Sequence, residues 1–243
     1  MYSEIKFEIT EEKVGIITLN RPEQRNAVNK ALREEVMDAL KQCEGDAVNV
    51  VVLAAEGKSF CAGRDLNEVK EMGAGSMTNL MLDYAELKKF TDAFERFEKP
   101  IIAAVNGHAL GMGNSLITYC DLIIATEEAK FGFPEINLNI VPGIASVQAA
   151  RIIGKTKMSE MILLGKKYTA TDALEMGMIN EVVCADELMP RAMEWAKQIA
   201  ALDPFTVNIS KQFIKHLGEA TYDADAFSSI GIMSMGFANK NKR

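Results

Sequence analysis

Hydrophobic and polar positions along the chain set out a series of alternating elements. Ile5–Thr10 and Val14–Leu19 are apolar or alternating around Glu11-Glu12-Lys13, which predicts a hairpin. Asn29 is placed to cap a helix running to about Cys43, with Leu32, Val36, Met37 and Leu40 at helical spacing. Val48–Ala55 predicts a buried strand, residues 80–97 a helix, and Ile101–Val105 a second buried strand. Strands that alternate with helices imply parallel pairing, so the fold class is α/β. After Pro142 the pattern turns helical: Ala145–Ile153, Lys157–Leu164, Ala170–Met176, Leu188–Ala201 and Pro204–Leu217. A soft shift of composition near residue 185 divides an α/β part, 1–185, from a helical part, 186–243.

One stretch breaks the plain alternation and carries the chemistry. Gly107-His108-Ala109-Leu110-Gly111-Met112-Gly113 leads into an apolar helix beginning near Met112. A helix that opens on glycines offers backbone N–H groups and a dipole that favours negative charge. Glu135 follows between Phe133-Pro134 and Ile136, a carboxylate in an apolar setting. An anion-stabilising turn beside a proton-transfer group is the implied pairing.

Composition narrows the function classes. The 243 residues are 48% hydrophobic, enough for one sizeable core, and carry a net charge of −7. That balance argues against nucleic acid as partner, which requires a basic surface. Cys43, Cys61, Cys120 and Cys184 are far apart without CxxC spacing, and two distant histidines form no H-E-x-x-H, so neither a metal site nor a redox pair is expected. No apolar run approaches the roughly 18 residues of a membrane span, and no signal peptide is evident. A reducing cytoplasm is the expected compartment. A serine-hydrolase reading of Ser115 with His108 lacks G-x-S-x-G and sets the serine inside a helix instead of on a strained elbow.

With a further segment, Ser59-Phe60-Cys61-Ala62-Gly63-Arg64-Asp65-Leu66, the chain resembles the crotonase superfamily of enoyl-CoA hydratases and isomerases. The resemblance rests on Asn20-Arg21-Pro22-Glu23 with Asn26-Ala27, on FCAGRDL, AAVNGHALGMG, CDLIIAT and FGFPEINLNIVPG, and on Thr169 to Val183, in that order. It implies a spiral of ββα units followed by helices that pack between subunits of a homotrimer or homohexamer. The stripe of Phe213, Phe227, Ile230, Ile232, Met233, Met235 and Phe237 suits such packing or, equally, a core within one chain. It also implies an acyl-CoA or acyl-carrier-protein thioester as substrate, with no cofactor besides the thioester itself.

Carried over position by position, the resemblance makes the backbone N–H groups of Arg64 and Met112 an oxyanion hole, with Gly63, Gly111 and Gly113 allowing close approach of the ligand. Arg21, Arg25, Ala27, Ala62 and Asp65 fall in segments that touch the nucleotide and pantetheine in relatives, and His108 is expected to line the acyl pocket. For the arginines, a solvated surface role is the alternative. Asp65 also suits a cap for a helix through Val69, and Asp121 a structural hydrogen bond. The family's hydratases carry two glutamates. One matches Glu135; the other falls at Ser115, which could hold water but not act as base. Asn139 stands where the family usually has glycine. One glutamate suffices to shift a double bond from Δ3 to Δ2, so isomerisation is the leading expectation. Hydration with Ser115 in place of the second glutamate is the alternative, and a non-catalytic thioester-binding or assembly protein the rival from another class.

Overall fold

A computed structural model describes residues 2–73, 75–217 and 221–240; the outermost ends of the two expected regions, Met1 and 241–243, lie outside the described residues. The expected hairpin is present as β1 (Ile5–Ile9) and β2 (Val14–Leu19), antiparallel with Ile5 opposite Leu19. Next come α1 (Lys30–Gln42), β3 (Val50–Ala55), α2 (Leu66–Gly73), α3 (Met77–Glu95) and β4 (Ile101–Val105). The glycine stretch forms β5 (Ala109–Leu110) and α4 (Met112–Thr118), followed by β6 (Leu122–Thr126) and β7 (Lys130–Gly132). The remaining elements are α5 (Gly143–Leu163), β8 (Tyr168–Thr169), α6 (Ala170–Glu175), β9 (Glu181–Val183), α7 (Leu188–Ala200), α8 (Pro204–His216) and α9 (Tyr222–Lys240).

The main sheet has the order β1-β2-β3-β4-β6-β9, and every pair after the first is parallel. Its central strands are buried on both faces, which explains their continuous Val and Ile content. Period-two alternation divides them. Val51, Leu53, Ile101 and Ala103 face α1 and α3, while Val50, Val52, Ile102 and Ala104 join Leu188, Ala192 and Ala196 of α7. Beside this sheet, β5, β7 and β8 make a small second sheet. The expected caps hold. The Asn29 side chain accepts from the Leu32 N–H at 2.8 Å, and Asp65 Oδ1 accepts from the Asn67 N–H at 3.0 Å. Asp121 is structural, accepting from the Ile101 N–H at 2.7 Å and pairing with Lys211 at 2.9 Å. The two helices expected on either side of residue 154 run on in α5, broken only where Gly154 takes φ 75°.

At the C-terminal end, α8 and α9 pack on each other. None of the α9 side chains is buried; Phe227 is 80% and Phe237 70% exposed. Of the stripe, Phe213 and Ile232 are half-buried, while Phe227, Ile230, Met233, Met235 and Phe237 stay exposed.

Candidate active site

The site begins with a segment clamped from two sides. The Cys61 N–H donates to the His108 carbonyl and the Leu110 N–H to the Cys61 carbonyl, both at 2.9 Å, which binds the segment to β5. On its other side the Val28 N–H donates to the Gly63 carbonyl at 2.7 Å, and the Ala62 N–H to the Arg25 carbonyl at 3.0 Å. The peptide between Gly63 and Arg64 is trans, so its N–H points opposite to its carbonyl. The Gly63 carbonyl faces Val28; the Arg64 N–H is thereby turned away from Val28, on a segment whose Gly63 lies against Gly111 and Met112.

Two glycines make this approach possible. Gly63 has φ 107°, and a Cβ there would lie 3.1 Å from the Leu110 carbonyl oxygen. Gly111 has φ 55° and ψ −120°, and a Cβ on it would lie 2.6 Å from Glu135 Oε1. Any side chain at 111 would collide with the carboxylate. Met112 is the first residue of α4, whose N–H has no acceptor inside its own helix. Backbone donors from two segments thus converge beside one carboxylate, the geometry that can hold a developing oxyanion next to a base.

Glu135 sits in the 3₁₀ turn Pro134–Leu138, with Pro134 starting the turn and Asn139 ending it at φ 57°. Asparagine is among the few residues besides glycine that adopt this left-handed conformation readily, so the backbone path survives the replacement of glycine here. Burial pushes the Glu135 carboxyl up to about 7, and its Oε2 has no hydrogen-bond partner among the described residues. A carboxylate held near neutrality by desolvation is suited to taking and returning a proton.

A cavity of about 560 Å³ opens over this point. Of the sequence-predicted residues, Ala62, Gly63, Arg64, Gly111, Met112 and Glu135 line it together. Others are placed elsewhere. Ser115 is fully buried in α4 and does not reach the cavity wall, because it is too short and lies one turn inside the helix. Gly113 packs on Cys61 behind the wall. His108 does not line the acyl pocket as expected: it is exposed on the outer side of the small sheet, and burial with the neighbouring Lys167, Lys130 and Arg25 charges lowers its pKa. Arg21 is engaged internally, donating to the Ala27 carbonyl and pairing with Glu4 and with Asp65 at 3.2 Å. Arg25 and Ala27 remain at the surface loop beside Ala62, with Arg25 exposed. The Arg64 guanidinium turns to Asp83 of α3 at 2.9 Å.

Sequence reasoning missed the opposite wall, formed by Leu66 and Val69 of α2, Leu80 and Tyr84 of α3, and Leu138 and Val141 beyond Glu135. These are ordinary apolar residues at ordinary spacing. Their signal was exposure without a partner, visible only once the surface was known: Leu66 is 52% and Val141 81% exposed.

Comparisons with known proteins identify the family of the fold that carries this site. A probable mitochondrial enoyl-CoA hydratase of Dictyostelium discoideum is 38% identical over 218 residues, covering 87% of this chain and 76% of the relative. The 2,3-dehydroadipyl-CoA hydratase of Escherichia coli is 35% identical over 216 residues, covering 88% and 83%. A solved enoyl-CoA hydratase subunit I from Geobacillus kaustophilus superposes with a TM-score of 0.91 at 30% identity, covering 99% of this chain and 92% of that one. The sequence model of the enoyl-CoA hydratase/isomerase family matches residues 9–229. The chain therefore belongs to the enoyl-CoA hydratase/isomerase family of thioester enzymes.

Proposed function

We propose that this chain moves an enoyl-CoA double bond from Δ3 to Δ2, with Glu135 carrying the proton. The carboxylate removes a proton from C2, leaving a dienolate whose oxygen is held by the Arg64 and Met112 N–H groups. The same carboxyl then returns the proton at C4. Two amide donors contribute roughly 2.7–4 kcal/mol each to such a barrier by comparison with other oxyanion holes. One observation carries the reading: among the described residues, Glu135 is the single carboxylate on the cavity wall, and Ser115 lies outside it. Hydration divides its work between a group that activates water and a group that protonates carbon.

A second reading, hydration, draws support from the names of the relatives, which are mostly hydratases. One assay separates the two. A 3-enoyl-CoA should gain conjugated-enoyl absorbance far faster than the matching 2-enoyl-CoA loses it to water. Fast hydration with no isomerisation of the 3-enoyl-CoA would sink the one-glutamate reading.

The exposed apolar side chains of α9 support packing between copies in a homotrimer or a pair of trimers. Among the described residues no helix is long and apolar enough to cross a membrane. The cysteines are free thiols, and burial pushes Cys43 and Cys61 up to about 12, which fits our reading of a reducing, cytoplasmic setting. The reaction we propose needs no cofactor beyond the thioester.

A further inference from the structure

Four charged side chains meet where α1, α2 and α3 come together beside the cavity, and the chemistry above does not use them. Arginine stays charged even when buried, so Arg33 of α1, only 5% exposed, requires counter-charge. Its guanidinium donates to Glu68 Oε2 of α2 at 3.2 Å and lies 3.9 Å from Asp83 Oδ1 of α3. The other oxygen of Asp83 pairs with the Arg64 guanidinium at 2.9 Å, both side chains being 16% exposed. Glu68 also accepts from the Lys30 N–H at 2.6 Å, at the start of α1. Two cations and two carboxylates therefore tie three helices to the segment that carries the Arg64 amide.

Stability alone is a poor account of such a network. A buried ion network is commonly no better for stability than apolar residues of the same volume, and its best-attested use is to fix one arrangement among several. Here it relates the two sides of the cavity. Leu80, Tyr84 and Leu87 line the cavity from one face of α3, and Asp83 stands at helical spacing on that same face. Arg64 belongs to both sides: its backbone lies in the glycine-bearing segment and its side chain ends on α3. The bonds flanking it run from the Val28 N–H to the Gly63 carbonyl at 2.7 Å and from the Asp65 N–H to the Val28 carbonyl at 3.0 Å. An Arg64 N–H that serves a ligand has to be aimed by those neighbours and by the pull of its own side chain.

We propose that Asp83 is a positioning residue for the oxyanion donor: backed by Arg33, it holds the Arg64 side chain and thereby the direction of the Arg64 N–H. The proposal rests on the reading of that N–H as a donor. It gives α3 a second part besides lining the cavity, as a fixed point around which the apolar residues on its face can change.

The test compares Asp83→Asn with the double variant Arg64→Met/Asp83→Leu. The first leaves Arg33 and Arg64 short of counter-charge and should lower the melting temperature. The second removes one charge of each sign, leaves Arg33 with Glu68, and should melt within a few degrees of wild type. Both should lose about ten- to hundredfold in kcat on the better of a 3-enoyl-CoA and a 2-enoyl-CoA, with KM within about threefold. Bound 2,4-hexadienoyl-CoA gives a signal that needs no turnover, because hydrogen bonds to its thioester oxygen polarise the conjugated system and move its absorption to the red. That shift should be present in wild type and fall by about half or more in both variants. Recovery of kcat along with the melting temperature in the double variant would make the network structural only and overturn the proposal. So would a red shift kept in full by both variants. A wild type without the shift would refute the Arg64 donor itself, and this role with it. With the shift halved in the variants, a wild type that hydrates instead of isomerising would refute the isomerase reading and still support this role, since both reactions place charge on the same oxygen.

Discussion

The two walls of the cavity are built on different principles. One is backbone: Cys61–Arg64 and Gly111–Met112 are fixed by hydrogen bonds of 2.7–3.0 Å to the 25–28 loop, to β5 and to β7. The other is side chain: Leu66, Val69, Leu80, Tyr84, Leu138 and Val141 project from α2, α3 and the turn after Glu135, with Leu66, Tyr84, Leu138 and Val141 exposed and Val69 and Leu80 half-buried. A wall of amides can be placed to a fraction of an ångström and reproduced in many sequences, because every residue has an N–H. A wall of exposed apolar side chains can be rebuilt residue by residue without disturbing it. Under the proposed reaction, charge stabilisation belongs to the first wall and choice of acyl group to the second.

The largest expected effect comes from the one side chain that reaches into the first wall. Glu135→Gln should leave the fold intact and cut turnover by about 10²–10⁴-fold, the usual range for a positioned acid–base group. Turnover within about threefold of wild type would remove Glu135 from the mechanism. The same residue sets the pH profile. Burial raises its pKa to about 7, and the ionised form is the base, so activity should be full above that value and fall as pH drops through it. An inflection at the ordinary carboxylate value would show that the carboxyl is solvated in the working enzyme.

Met112→Pro comes next. Proline suits the first position of a helix and removes the N–H while sparing the helix. The expected loss is about 10²–10³ in turnover, with circular dichroism unchanged. If Met112→Ala is equally damaging, the side chain and not the amide is responsible.

On the second wall, Leu80→Ala should shift preference toward longer or bulkier acyl chains by about tenfold in specificity constant while leaving the pH profile in place. A change in the profile would mean that the two walls are coupled. Ser115→Ala should do least. Its hydroxyl is buried behind the wall with no hydrogen-bond partner among the described residues, so turnover should stay within about threefold. A larger loss would place Ser115 in the chemistry and favour hydration.

Most of the frame was legible from local chemistry. The hairpin, the Asn29 cap, the break at Gly154 and the parallel strands follow from patterns that act within one or two turns of chain. The glycines at 63 and 111 were legible as turn positions, and they do take positive φ, whereas the assignment of Arg64 and Met112 as donors came from the family resemblance. His108 was misplaced for a definable reason: it precedes a two-residue strand whose facing the local sequence does not set, and the pairing of Ala109 with Phe131 turns Ala109 inward and leaves His108 outside. Arg21 likewise looked available for ligand until Glu4, just before β1, and Asp65, just before α2, were brought to it.

By itself, the sequence determined where backbone conformation is special and which carboxylate lies among apolar neighbours, because both are properties of adjacent residues. Only the tertiary structure decided that Glu135 stands against Gly111 without a second carboxylate beside it, that Ser115 faces away, and that Arg33 meets Glu68 and Asp83. Those are relations between residues 20 to 60 positions apart, and they exist only once strand pairing and packing have chosen one arrangement of the chain.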